Sequence, residues 1–467
     1  MIFSSMFFVF VFLPLVTGIY WLVPRGLKNS VLLMASLLFY SWGEPRHVVL
    51  MLAMILISYC GALLLDCSRR GRALTAACTI ILELSMLAYF KYFNFLADIC
   101  NAAFGTEFDF VKIALPIGIS FYTFQSLSYV VDVYRGEVRA QRSITKLALY
   151  VSFFPQLVAG PIVKYHDIAH EIDLRTTCID DMHYGMRRFI IGLSKKILLA
   201  NTLGAVADQV FAQSPSVTHP LMAWIGAIAY SFQIFYDFSG YSDMAIGLGR
   251  MFGFHFLENF NYPYVSQTIT EFWRRWHISL STWFREYLYI PLGGNRVGVW
   301  RTYINLFIVF LATGIWHGAA WNFIVWGLWH GFFIVIERVI GLPKRVGGFV
   351  FKMARHLYTL LVVLLGWVLF RAEDLPAALI YLQNMFGMFS DSTSSMNIIP
   401  HYVDNIEILA FVSAAIFSMP ISCSKFLPKK LLLVVDRGWD VLLVVLFVIT
   451  SIYMSASTYN PFIYFRF

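Results

Sequence analysis

Charge is what this sequence has least of. Asp, Glu, Lys and Arg make up 13% of its 467 residues, against about a quarter in an average soluble domain. With 59% hydrophobic residues and a mean hydropathy of +0.68, a water-soluble globule is excluded, because it could not cover its own surface. Lipid as solvent removes the contradiction. Cysteine is also scarce. Cys60, Cys67, Cys78, Cys100, Cys178 and Cys423 form no CxxC pair, and most lie in or beside apolar runs. They read as small apolar residues or reduced thiols, so neither a disulfide framework nor a thiolate metal site is expected. A long basic tail and nucleic-acid motifs are missing, so the net charge of +8 does not mark a nucleic-acid binder. No GxSxG elbow, Walker motif, HExxH or covalent-nucleophile signature occurs. The glycines of GLGRMFG follow no strand of a βαβ unit, which excludes a dinucleotide fingerprint.

What the chain does have is apolar runs, with 18% aromatic residues suited to a bilayer and its interfacial belts. A spanning helix needs about 20 apolar residues. Candidate spans are 5–23, 30–42, 47–65, 74–99, 113–133, 147–162, 186–212, 220–250, 302–316, 319–340, 356–371, 405–421 and 431–455. The expected fold is all-α and polytopic, with about 11 spanning helices plus re-entrant and amphipathic ones, in a single membrane domain over residues 1–467. Phe7–Val23 lacks a basic flank and reads as a retained first span rather than a removed leader. Pro155, Gly160 and Pro161 deny 147–162 a regular helix, so this run is expected to be broken or re-entrant and buried in protein.

Short basic clusters mark cytoplasmic loops under the positive-inside rule: Arg25 with Lys28, Arg69 with Arg70 and Arg72, Arg135 to Lys146, and Lys344 to Arg355. The acidic 101–110 loop, with Glu107 and Asp109, then faces out. The polar run 390–397 is expected to be an extramembrane loop.

Residues 265–290 mix bulky aromatics with charge. At helical spacing Trp273, His277, Leu280 and Phe284 share a face, which suggests amphipathic helices at the interface or walling a cavity. The PLGGNR turn, Pro291 to Arg296, ends them. His277 is titratable, and Arg274 and Arg275 beside it would disfavour its protonation. The alternative is an interfacial histidine making one helix contact.

In 313–331, TGIWHGAAWNFIVWGLWHG, His317 and His330 each sit within Trp-His-Gly. Thirteen residues apart on one helix, they would point to different sides. A histidine in hydrocarbon is costly and faces a cavity or a polar partner, and imidazole suits proton transfer near neutral pH. His317 is therefore a candidate general base, and flanking glycines would admit a ligand or another chain. The alternative is that both histidines pack between helices. A metal site lacks companion carboxylates, and none is expected. Asp237, Ser239 and Asp243 are buried among apolar neighbours. An intramembrane Asp marks function by default, or pairs with a base such as Arg250. Gln125 and Asp132 belong to a polar stripe in 115–136.

Taken in order, MIFSSMFFVFVFLP, LPIGISFYTFQSLSYVVDVYRG, PQLVAGPI, FQIFYDFSGYSDMAIGLGRMFGF, NFNYPY, FWRRWHISLSTWFREYLYIPLGGNR, TGIWHGAAWNFIVWGLWHG and NPFIYFRF resemble the alginate O-acetyltransferase, AlgI-like branch of the membrane-bound O-acyltransferase family. The likeness spans the whole chain. It departs from many alginate acetylases in being shorter after residue 371, and the D-alanyl transferase branch shares the RWH and WHG motifs.

The resemblance implies a helical core around a central tunnel in the bacterial inner membrane. There, acetyl from cytoplasmic acetyl-CoA, a substrate rather than a bound cofactor, would be passed to a hydroxyl for O-acetylation of an exported polysaccharide or cell-wall glycan. It implies a periplasmic or surface partner resembling an SGNH hydrolase. It carries the catalytic role to His317 and a supporting role to His277, either orienting that imidazole or stabilising an oxyanion. Tunnel-lining candidates are Asp237, Ser239, Trp276, Arg274, Arg275, Trp316, Asn322, His330 and Gln125. The basic face of RRWH and WFRE would meet the donor's phosphates. A transporter or flippase would also explain broken helices and a midplane Asp237, but no inverted repeat of the broken-helix pattern is visible.

Overall fold

In the computed structural model the chain is helical, with no strand among the described residues. The structure describes all residues except 68–70, 109, 159, 214–217, 343–346, 389–402, 421–428, 458 and 462–467, and for 429–437 the backbone alone. Arg69, Arg70, Asp109, Lys344, Arg345, Cys423, the 390–397 loop and the end of the closing motif thus lie outside the described residues. The other five cysteines are free. Among the described residues, six helical stretches are long and apolar enough to cross a membrane: Val48–Cys67, Arg72–Phe104, Ile179–Phe211, Val299–His317, Phe349–Arg371 and Gly438–Ala456. Phe8–Leu22 and Asn405–Phe417 are apolar but shorter.

The chain forms two compact units, residues 1–189 with 242–257, and residues 190–241 with 258–467. In the first, Phe8, Phe12, Phe39 and Phe154 make a ring cluster with centroids 5.5–5.9 Å apart for successive pairs. The run 147–162 is broken, as its prolines and glycine demand. Ile144–Ser152 ends at Phe153, where ψ turns to 111°, and Phe154–Leu157 restarts with Pro155 in its first turn. The break is buried and its backbone is satisfied by side chains. Ser36 Oγ accepts from Phe154 N–H at 3.1 Å, and Gln156 Nε2 donates to Tyr150 O at 2.5 Å. Non-helical backbone persists in an apolar setting only on such terms.

Polar side chains clamp the spans of this unit. Ser58 donates to Glu83 at 2.6 Å, and Lys91 to Ser120 at 3.0 Å. Gln125 lies in this unit, buried at 1% exposure, and its side-chain amide has no hydrogen-bond partner among the described residues. Asp132, Glu137 and His166 bring ligand-type atoms within 4.8 Å of one another. Asp132 and His166 are bonded at 2.9 Å, and Glu137 lies 3.7 Å from Arg135.

The second unit has an aromatic core that includes Phe272, Trp273, Trp276, Trp326, Trp367 and Phe370. Its first helix passes through a π-helical turn at Lys195–Ala200. The 265–290 run forms more than one helix, as expected. It forms Ile269–Arg275, Ile278–Phe284 and a π-turn Arg285–Tyr289. His277 itself is the break, at φ +44°. The shared helical face of Trp273, His277, Leu280 and Phe284 therefore does not exist. Most of these aromatics are buried in the unit instead. The PLGGNR stretch does form the expected turn, with positive φ at Gly293 and Gly294.

Candidate active site

His317 is the last residue of Val299–His317, and the next helix, Trp321–Val339, carries His330. The two histidines are thus on separate helices, because Gly318 is extended at φ −164°. The hairpin closes tightly. A Cβ on Gly327 would lie 2.4 Å from Phe310 O and 2.9 Å from Gly314 Cα, so the helices touch backbone to backbone. A Cβ on Gly318 would meet the Phe323 ring at 2.1 Å. The space these glycines leave is filled by protein, not held open for a ligand.

His317 is 6% exposed. Its Nδ1 lies 2.7 Å from Thr313 O. A carbonyl only accepts, so Nδ1 carries the proton and Nε2 the lone pair. The ring packs against Trp326 at 4.7 Å, Trp316 at 4.9 Å and Phe370 at 5.5 Å. The same tryptophans link it to the other histidines: Trp316 to His277 at 6.3 Å, and Trp326 to His330 at 5.4 Å.

His277 is 1% exposed and its Nδ1 lies 3.1 Å from Asn259 Oδ1. Nε2 has no hydrogen-bond partner among the described residues. A non-glycine residue at positive φ is strained. Burial first, and then the nearby His317, pulls this imidazole well below its usual range. The arginines beside it in sequence are not the cause: Arg275 is held by Glu271 and by Asn261 O, at 3.0 and 3.1 Å, and Arg274 is exposed.

His330 is fully buried among Trp273, Trp326 and Phe272, and neither ring nitrogen has a hydrogen-bond partner among the described residues. Trp276 stacks on Phe272 and lies 4.8 Å from Trp367. Trp316 is buried beside His317. Asn322 donates to Leu369 O and Ala372 O, which ties the hairpin to the end of Phe349–Arg371. Asp237 does not pair with Arg250, which bonds Asp181 at 3.0 Å within the first unit. Its partner is Lys196, at 2.7 Å. Ser239 is buried, and its hydroxyl has no hydrogen-bond partner among the described residues.

Reading the sequence missed Asn259, Thr313, Trp326 and Lys196. A threonine one turn before His317, and a lysine inside an apolar run, were available signals. Asn259 lay in a recognised motif, NFNYPY, with nothing local to show what it bonds.

The model of MBOAT, the membrane-bound O-acyltransferase family, matches residues 80–375, a segment that holds all three histidines. The chain belongs to the membrane-bound O-acyltransferase family. It is an O-acyltransferase and a multi-pass protein of the bacterial inner membrane. Across the full length of both chains it is 42% identical to the probable alginate O-acetylase AlgI of Pseudomonas putida. The corresponding protein of Azotobacter vinelandii is 46% identical over 85% of this chain and 80% of its own. The peptidoglycan O-acetyltransferase of Helicobacter pylori is 36% identical over 83% of this chain and 80% of its own.

Proposed function

We propose that this acyltransferase moves acetyl from cytoplasmic acetyl-CoA to a hydroxyl on the far side of the membrane, for O-acetylation of an exported polysaccharide. Acetyl and polysaccharide are supported by the names of its relatives, alginate and peptidoglycan O-acetylases. The observation that carries the chemistry is the fixed tautomer of His317, whose Nδ1–H is spent on Thr313 O so that Nε2 presents a lone pair.

His317 Nε2 takes the proton as the acceptor oxygen attacks the thioester carbonyl. The C–O bond forms, the C–S bond breaks, and the departing thiolate recovers the proton from the imidazolium. The products are an ester and a free thiol. Dry aromatic walls around the ring keep water from competing for the acyl group. His277 offers a second lone pair for the acceptor hydroxyl. A tunnel would bring donor and acceptor into line. Arg274, exposed and basic, suits the donor's phosphates, whereas Arg275 is already paired. An extracytoplasmic partner of the SGNH-hydrolase type would carry acetyl onward.

The test uses membrane vesicles given radiolabelled acetyl-CoA at the cytoplasmic face. Base-labile label should appear on exported glycan or on a secreted partner, and only when the protein is present. Label that stays in the thioester would overturn the donor assignment.

A further inference from the structure

We infer that Asn259 is a positioning residue for the transfer reaction, holding His277 in the one neutral tautomer that presents a lone pair at Nε2. The inference rests on the reading above, that His277 works in the site.

Asn259 is fully buried and lies outside any helix. Its Oδ1 receives three groups: Ser279 N–H at 3.1 Å, the Ser279 hydroxyl at 2.9 Å and His277 Nδ1 at 3.1 Å. Its backbone carbonyl accepts Ile278 N–H at 2.9 Å. An asparagine amide can be placed either way round from shape alone. Here the backbone settles it. Ser279 N–H can only donate, and an NH₂ group cannot accept it, so the atom facing His277 is oxygen.

An amide oxygen only accepts, so the proton is on Nδ1. A neutral imidazole has one N–H, hence Nε2 must be bare. Nε2 has no hydrogen-bond partner among the described residues. The ring cannot readily exchange its nitrogens. Phe238 meets it edge-on at 4.6 Å and Trp316 lies at 6.3 Å. The left-handed backbone at φ +44° is held by the bonds that Asn259 makes to the next two residues.

This decides between two roles for His277. With its single N–H spent on Asn259, the neutral ring cannot donate to a developing oxyanion. It accepts a hydrogen bond at Nε2, which orients the acceptor hydroxyl before His317 takes its proton.

The full-length protein, labelled with ¹⁵N-histidine in lipid nanodiscs, tests the tautomer directly. His277 signals are those lost in His277→Gln. At neutral pH they should show Nδ1 protonated and Nε2 bare, and the opposite tautomer overturns the inference even if every Asn259 variant misfolds. Asn259→Asp keeps the acceptor and adds a negative charge beside the ring, which favours the imidazolium. The acid limb of its kcat profile should move up by roughly 1 to 3 pH units with KM unchanged. Asn259→Leu should lower kcat by roughly 10- to 100-fold. A wild-type acid limb in the first together with full kcat in the second would reduce Asn259 to a helix cap. Should His277→Gln transfer acetyl at the wild-type rate, the inference falls with the proposed role of His277, while transfer by His317 stands.

Discussion

Lys196 and Asp237 form an ion pair sealed inside the second unit, Nζ to Oδ1 at 2.7 Å, with 3% and 2% of the side chains exposed. Lys196 also reaches Pro461 O near the C-terminus. Removing one partner of such a pair strands the other charge in a place that cannot solvate it. Lys196→Met should cost about 3–5 kcal/mol, read as a fall in the thermal unfolding midpoint in detergent. Lys196→Met with Asp237→Asn should recover most of that loss. If the double variant is no more stable than the single one, the two groups are not paired.

Glu337 is fully buried on Trp321–Val339 and serves the start of Ile269–Arg275. Its carboxylate accepts Ile269 N–H at 2.5 Å, Thr270 N–H at 3.0 Å and the Thr270 hydroxyl at 2.8 Å. A carboxylate at a helix N-terminus satisfies donors that the helix itself cannot. Glu337→Ala should destabilise the protein by about 3 kcal/mol, with Glu337→Gln in between. Equal unfolding midpoints for wild type and the Ala variant would show that the contact does not hold this segment.

His166, on Tyr165–Leu174, lies between Asp132 at 2.9 Å and Asp167 at 3.1 Å. Hydrogen bonds that the ring donates to these two carboxylates, against the opposing effect of burial, raise its pKa to about 10. The folded value lies above the ordinary 6.5, so the folded state binds the proton more tightly. The stabilisation is complete below about pH 6.5 and is lost as pH rises through about 10. His166→Gln should therefore flatten the decline of the unfolding midpoint between pH 7 and 10. Parallel wild-type and variant curves would remove His166 from that account.

These contacts show where the sequence was informative. Pro155, Gly160 and Pro161 announce the break in 147–162, because proline chemistry is local. The scarcity of charge announces the membrane. The two Trp-His-Gly motifs single out His317 and His330. Tertiary choices were not legible. Periodicity makes His277 one more turn of a helix, whereas bonds to Asn259, eighteen residues earlier, hold its backbone left-handed. Asp237 needs a base, and sequence spacing offered Arg250, but the partner is Lys196 on another helix. The glycines around His317 read as access for a ligand or another chain segment, and only the fold shows that it is Phe323 and the facing backbone that fill them.

The account turns on His317. In cells lacking this protein, ester-linked acetate on exported polymer should be absent, and the wild-type gene should restore it. His317→Ala, brought to the same abundance in the membrane, should restore none, because the proposed transfer has His317 as its base. Acetate at wild-type levels from the variant would contradict the assignment of His317 as the base.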